Sequence, residues 1–166
     1  MSNLKVFNTL TGTKEEFVPL TPGKVLMYAC GPTVYDVAHL GHARAAINPD
    51  IIQRYLKFSG YDVTYVRNIT DVDDKIIKRA KERGLQPDQI ARQFTYTYWH
   101  DMHALNVALP GAEPRATEFI SRMIPFIEGL IAKGNAYVSG SDVYFDVSSF
   151  KDYGKLKKQS LDEMQS

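Results

Sequence analysis

The stretch Tyr28-Ala-Cys-Gly-Pro-Thr-Val-Tyr-Asp-Val-Ala-His39-Leu-Gly-His42 decides how the rest of this chain is read. An apolar run, Val25 to Ala29, precedes it and reads as a buried strand. Gly31-Pro32 breaks the run, a short loop follows, and a helix restarts near Gly41. Strand, turn and helix N-terminus form a phosphate-binding geometry, because the first helical N–H groups lack partners and point at the ligand. Gly41 lets the backbone approach closely. His39 and His42 place two imidazoles where charge on an α-phosphate would develop. No Lys follows the glycine, so this is not a P-loop.

His39-Leu-Gly-His42 resembles the first signature of class I aminoacyl-tRNA synthetases. Cys30-Gly-Pro-Thr-Val-Tyr-Asp upstream and Tyr65-Val-Arg-Asn-Ile-Thr-Asp-Val-Asp-Asp-Lys75 downstream narrow the likeness. Together they resemble the cysteine–tRNA ligases, from Lys5-Val-Phe-Asn-Thr-Leu to the last residues.

With 166 residues the chain can bury one substantial core. Its 44% hydrophobic and 23% charged content is ordinary for a globular protein. A net charge of +1 gives no global field for nucleic acid, so any RNA contact must be a local patch. No apolar run is long enough for a transmembrane helix, which predicts no membrane partner. The N-terminus lacks a charged-then-apolar leader pattern. One cysteine allows no internal disulfide, and a cytoplasmic location is expected.

Leu4 to Leu10 alternates like an edge strand, Thr11 to Glu16 is polar, and Thr21-Pro-Gly23 signals a turn. The helix from Gly41 to Phe58, ended by Gly60, carries Ile47, Ile51, Ile52, Tyr55 and Leu56 as one apolar stripe. Asp62 to Val66 is β-branched and aromatic, hence the next strand. Strand–helix–strand at this spacing predicts a right-handed βαβ unit, the seed of an α/β, Rossmann-like parallel sheet with helical and hairpin additions. A short helix spans Asp74 to Arg83. A longer one opens at Pro87 with Ile90, Phe94, Tyr98, Met102 and Leu105 in helical step.

Pro110 to Pro114 breaks that helix. Another runs from Glu113-Pro-Arg-Ala-Thr to Gly134, with Ile120, Met123, Ile124, Ile127, Leu130 and Ile131 on one face. Tyr137 to Phe145 reads as a hairpin around Gly140, and the tail from Lys151 is polar. Pro49 and Pro125 fall inside helices, where each removes a hydrogen bond; a kink or a restart is expected at Asn48-Pro49. The expected division is residues 1–109, the first half of a catalytic domain, and 110–166, the start of an inserted acceptor-end segment.

Cys30, a lone cysteine after an apolar strand, would by itself be a small buried core residue. The resemblance implies instead one ligand of a zinc ion that captures a substrate thiol. A thiolate binds zinc far better than a hydroxyl does, so cysteine would be separated from serine at the binding step. The remaining zinc ligands of that family have no counterpart in this chain, leaving the site incomplete. His100 and His103 share a helix at i, i+3, but they flank a core stripe and are not expected to bind metal.

By resemblance His39 and His42 are catalytic, stabilising the α-phosphate as a carboxylate attacks ATP, with magnesium accompanying the nucleotide. Pro32, Thr33 and Gly41 would join them in nucleotide binding. Gly31 and Thr70 would line the cysteine pocket with Cys30. Asp71, Asp73 and Asp74 read as helix-capping acids rather than ligands, and an EF-hand is disfavoured because its glycine and terminal glutamate are missing. Arg115, Lys155, Lys157 and Lys158 are the best local basic candidates for RNA phosphate, although a solvated face is the ordinary reading of each.

The resemblance therefore implies the N-terminal part of a ligase that makes cysteinyl-adenylate from cysteine and ATP and esterifies tRNA(Cys), monomeric at full length. The second family signature, Lys-Met-Ser-Lys-Ser, does not occur in this sequence, so the chain alone is expected to be inactive and its end at Asp162-Glu-Met-Gln-Ser to be a truncation. Two alternatives stay open: a related ligase of mycothiol synthesis that joins cysteine to an amino sugar, and a non-catalytic nucleotide- or partner-binding module.

Overall fold

The chain runs through β1 (Lys5–Asn8), β2 (Thr13–Glu16), β3 (Lys24–Ala29), α1 (Leu40–Phe58), β4 (Asp62–Arg67), α2 (Asp74–Arg83), α3 (Pro87–Ala104), α4 (Ala116–Ala132), β5 (Ala136–Ser139) and β6 (Asp142–Phe145). A computed structural model describes residues 4–157 of it. Contacts divide these residues into two compact units, one of Pro19–Ile120 and one formed by residues 4–18 with 121–157.

In the Pro19–Ile120 unit, β3 and β4 pair in parallel, from Lys24 opposite Asp62 to Ala29 opposite Arg67. Helix α1 is the crossover between them, as the β-branched and helical periods of the sequence predict. The pairing continues past the strands, with Thr33 bridging Thr70 in parallel. On the other side of β4, residues 111–115 run alongside it. Gly111 N–H donates to the Tyr65 carbonyl at 2.8 Å, Arg67 N–H to Ala112 at 3.1 Å, and Ile69 N–H to Pro114 at 3.0 Å. A β-carbon on Gly111 would sit 3.3 Å from the Tyr65 carbonyl oxygen, so the small residue suits this approach. The segment expected only to break α3 thus adds a strand-like edge to the sheet.

Two apolar clusters hold the unit. Val34, Ile69, Ile76, Ala80, Ile90, Ala91 and Phe94 join the first turn to α2 and α3. Ala46, Tyr98, Met102 and Val107 join α1 to α3. The stripe expected on α1 is corrected: Ile51, Ile52 and Tyr55 are exposed, and the buried positions are Ala46, Asp50, Gln53 and Leu56. Asp50 tolerates burial because its carboxylate is satisfied, accepting from Gln53 Nε2 at 2.9 Å, Arg54 Nε at 2.8 Å and the Ala108 N–H at 3.3 Å.

No restart occurs at Pro49, since α1 is a single helix from Leu40 to Phe58; α4 likewise runs through Pro125. Pro49 has no N–H to give the Ala45 carbonyl four residues earlier, and Ala45 itself is exposed. Of the α3 residues expected in the core, Ile90, Phe94, Tyr98 and Met102 are buried, whereas Leu105 caps the helix and is exposed. No residue of α4 is buried, although its apolar residues recur at helical spacing.

In the unit of residues 4–18 with 121–157, β1 and β2 form an antiparallel hairpin, Lys5 opposite Glu16 to Asn8 opposite Thr13. Thr13–Glu16, the greater part of the polar segment Thr11–Glu16, is therefore strand, its charged side chains being compatible with an exposed two-stranded ribbon. β5 and β6 form the expected hairpin around Gly140, which adopts φ 62°, and Tyr137 stacks on Tyr144 with ring centroids 5.7 Å apart.

Candidate nucleotide and amino-acid site

The loop between β3 and α1 is anchored before it reaches the helix. Val34 is buried, Tyr35 lies under the Lys75 ammonium at 5.4 Å, and Asp36 forms an ion pair with Arg79. These contacts fix the loop on α2, so the start of α1 has a defined position.

That start is built from the two histidines. His39 is the N-cap, and its Nδ1 accepts the Gly41 N–H at 3.1 Å. His42 Nδ1 accepts the His39 N–H at 3.2 Å, completing a reciprocal capping box with histidines in place of the usual Ser and Glu. The rings lie 4.0 Å apart at 47°. A β-carbon on Gly41 would come within 2.8 Å of His39 Cε1, so glycine is what lets this imidazole fold back onto the helix. Burial first, then the neighbouring His39 and Arg67, lower the His42 pKa below its ordinary 6.5.

The second group gathers at the ends of β3 and β4. Thr70 N–H donates to the Pro32 carbonyl at 3.0 Å and Val34 N–H to the Thr70 carbonyl at 3.3 Å. Pro32, Thr33 and Thr70 thereby share one seam, with Cys30 and Gly31 just before it. Asn68, which no sequence feature singles out, stands at its centre. Its Oδ1 accepts from the Tyr28 hydroxyl at 2.9 Å and the Gly31 N–H at 2.8 Å, and its Nδ2 donates to Thr70 Oγ1 at 3.3 Å. Gly31 presses against the same residue: a β-carbon there would fall 1.5 Å from the Asn68 carbonyl oxygen. Cys30 is exposed, with Sγ 3.6 Å from the Gly31 carbonyl. No group of three or more His, Cys, Asp or Glu able to hold a metal forms among the described residues. Cys30 is thus a single donor, and the described residues by themselves do not make a zinc site.

Behind β4 lies a polar interior. Arg67 is buried with its guanidinium 5.6 Å from the centroid of the Tyr98 ring. Burial pushes the Tyr98 hydroxyl up to about 12 and raises the Glu113 carboxyl, an effect that Trp99, Arg115 and Arg67 partly offset.

The acids after β4 take three positions. Asp73 caps α2, its Oδ1 accepting the Lys75 N–H at 2.8 Å, and Asp74 occupies the first turn. Asp71 instead accepts from Thr117 at the start of α4, from N–H at 3.0 Å and from Oγ1 at 2.6 Å. His100 Nδ1 lies 3.5 Å from Asp101, and His103 is exposed. Arg115 N–H donates to Glu118 at 3.2 Å, Lys155 stands 3.9 Å from Asp152, Lys157 is exposed, and Lys158 lies outside the described residues. Among the described residues, no helix is long and apolar enough to cross a membrane.

Residues 16–166 match the family model described as the tRNA synthetases class I (C) catalytic domain. The chain is 56% identical over 164 residues to the cysteine–tRNA ligase of Syntrophotalea carbinolica, covering 99% of this chain and 34% of that protein. The Geobacter metallireducens cysteine–tRNA ligase gives the same identity and coverage, and that of Vibrio atlanticus is 52% identical over 98% of this chain and 36% of its own length. The chain therefore spans about a third of the length of these curated relatives. Among solved structures, Mycobacterium tuberculosis methionyl-tRNA synthetase in complex with methionyl-adenylate is similar with a TM-score of 0.63 and 21% identity, over 69% of this chain and 23% of that one. LeuRS of Agrobacterium radiobacter, in a ternary complex with tRNA and LeuAMS, gives 0.61 and 20%, over 72% and 16%. At these identities the two structures speak for the α/β fold alone.

Proposed function

The chain belongs to the family of class I (C) tRNA synthetase catalytic domains, and from that membership we propose that it is the cysteine- and nucleotide-binding part of a cysteine–tRNA ligase. The full reaction joins cysteine to ATP as cysteinyl-adenylate and then transfers the cysteinyl group to tRNA(Cys). In the first step a cysteine carboxylate oxygen bonds to the α-phosphorus while the bond to pyrophosphate breaks. No protein nucleophile is needed, so the work left to the protein is positioning and charge stabilisation.

The observation that carries this reading is the doubled use of Nδ1. Both imidazoles accept main-chain N–H groups through Nδ1, so each neutral ring holds its proton on Nε2, facing away from the cap. Two N–H donors at a helix N-terminus suit the pentacoordinate α-phosphate. Pro32, Thr33 and Gly41 supply the backbone on which the nucleotide would lie, and magnesium would accompany its phosphates. Cys30, Gly31 and Thr70 would receive the amino acid. By resemblance Cys30 would lend its thiolate to a zinc ion selecting the substrate sulfur, in company with donors from outside the described residues.

Cysteine-dependent exchange of pyrophosphate into ATP tests the proposal. It is measured on this chain alone and on this chain joined to the part of the Geobacter metallireducens ligase that it does not match. Exchange with cysteine and not with serine, in the joined protein, is the expected result. A folded joined protein that exchanges with neither would overturn it.

A further inference from the structure

The side chain of Asn68 makes three hydrogen bonds, two of which end on different parts of the proposed amino-acid site, Gly31 and Thr70, and the third on Tyr28. The Gly31 N–H can only donate, so the atom facing it must be the amide oxygen; that places the amide nitrogen toward Thr70. Tyr28, one residue before the end of β3, adds its hydroxyl to the same oxygen. The main chain of Asn68 contributes as well, since its carbonyl oxygen occupies the space a side chain on Gly31 would need. Residue 31 is therefore gripped from two directions. Cys30 lies between this grip and Ala29, which is in register with Arg67.

Thr70 is held in a complementary way. Its N–H and carbonyl are bonded to the Pro32 and Val34 main chain, and its hydroxyl oxygen takes the Asn68 amide. With one lone pair so occupied, the hydroxyl hydrogen is turned away from Asn68 and one lone pair remains. A ligand with both a donor and an acceptor, as an amino acid has, would meet a hydroxyl already oriented.

We propose that Asn68 is a positioning residue that fixes the Cys30–Gly31 turn and the Thr70 hydroxyl relative to each other, so that selection of the amino acid depends on its amide. This rests on the reading of the site as one for cysteine. Asn68 acts through Gly31 and Thr70, to which its side chain is hydrogen-bonded. The nucleotide is handled by the His39–His42 cap, which none of these three bonds reaches.

Two substitutions separate the parts of this role. Asn68→Asp keeps the acceptor for Tyr28 and Gly31 but loses the donor to Thr70, whereas Asn68→Ala loses all three bonds. In the 166-residue chain, hydrogen exchange of the Gly31 amide is expected to speed up at least tenfold in Asn68→Ala and to stay within threefold in Asn68→Asp. In the joined ligase, Asn68→Asp is expected to raise KM for cysteine about tenfold while KM for ATP stays within twofold. An unchanged KM for cysteine, or a parallel rise in both constants, would overturn the proposal. So would unchanged Gly31 exchange in Asn68→Ala. Should that variant fail to fold, Asn68→Asp decides alone. A joined ligase with native Asn68 and no cysteine-dependent exchange would sink the cysteine reading instead, and the Gly31 measurement would still decide whether Asn68 holds the turn.

Discussion

His42 turns its Nδ1 back onto the N–H of His39, 3.2 Å away, while the His39 ring turns onto Gly41. The two imidazoles thus cap the helix with one face and leave Nε2 for a ligand. Replacing either by Ala in the joined ligase is expected to cost roughly 10²–10³ in kcat for pyrophosphate exchange, the usual loss for one preorganised donor. His42→Ala should also lower helix stability by about 1 kcal/mol as the cap is lost. Circular dichroism on the chain alone separates that structural cost from the kinetic one.

The lowered His42 pKa has a definite sign. Burial, His39 and Arg67 disfavour its charged form in the folded chain, so the unfolded chain takes up the proton first as pH falls. The stability contribution is present above the unfolded value near 6.5 and is lost as pH drops through the lower folded value. An NMR titration should place the His42 ring midpoint below 6.5, and His42→Asn should flatten the loss of stability across that window. A midpoint at or above 6.5 would contradict the geometry.

Gly31→Ala is expected to be severe. The new β-carbon would meet a main-chain oxygen at 1.5 Å, and neither strand end is free to retreat. A loss of about 3 kcal/mol or more in urea denaturation is expected. Gly129→Ala is the contrast: it lies within α4 with open space around its Cα, and should gain about 0.5–1 kcal/mol.

Asp71 caps a helix from which it is 46 residues distant. Asp71→Ala leaves the Thr117 N–H and hydroxyl without that partner, and a loss of about 1 kcal/mol is expected. The double variant with Thr117→Val should cost little more than Asp71→Ala alone, because the two changes remove one interaction.

Pro49 sits in an unbroken helix, so Pro49→Ala restores a donor to the Ala45 carbonyl without asking the backbone to move. It should raise stability by about 1 kcal/mol or more, read as a higher urea midpoint. A fall would mean that the proline ring supplies packing that alanine lacks.

The order β3–α1–β4 is legible in the sequence because its signals are local: β-branched runs, Gly-Pro punctuation and a cap. What is hidden depends on distant partners. Residues 111–115 contain Gly, Ala, Glu and Pro, with no strand preference, and are extended because β4 offers them donors and acceptors. On α1 apolarity marks Ile51, Ile52 and Tyr55, which are exposed. Asp50 and Gln53 are buried through bonds to Arg54 and the Ala108 main chain, which no periodicity reveals. The two imidazoles stand out by their spacing around Gly41. Asn68 does not, because an asparagine after a strand looks like any loop residue until its three partners are known.

Among the described residues the parallel sheet is occupied on one side only. Residues 111–115 close the β4 edge, whereas β3 pairs with β4 alone among the described strands; Leu26 and Tyr28, which share one face of β3, are 85% and 64% exposed. Further strands can therefore join this sheet in one direction, outward from β3. Where none does, that margin is adhesive, and the chain in isolation should be handled dilute and cold, since an unpaired strand edge beside exposed apolar side chains recruits copies of itself into aggregates.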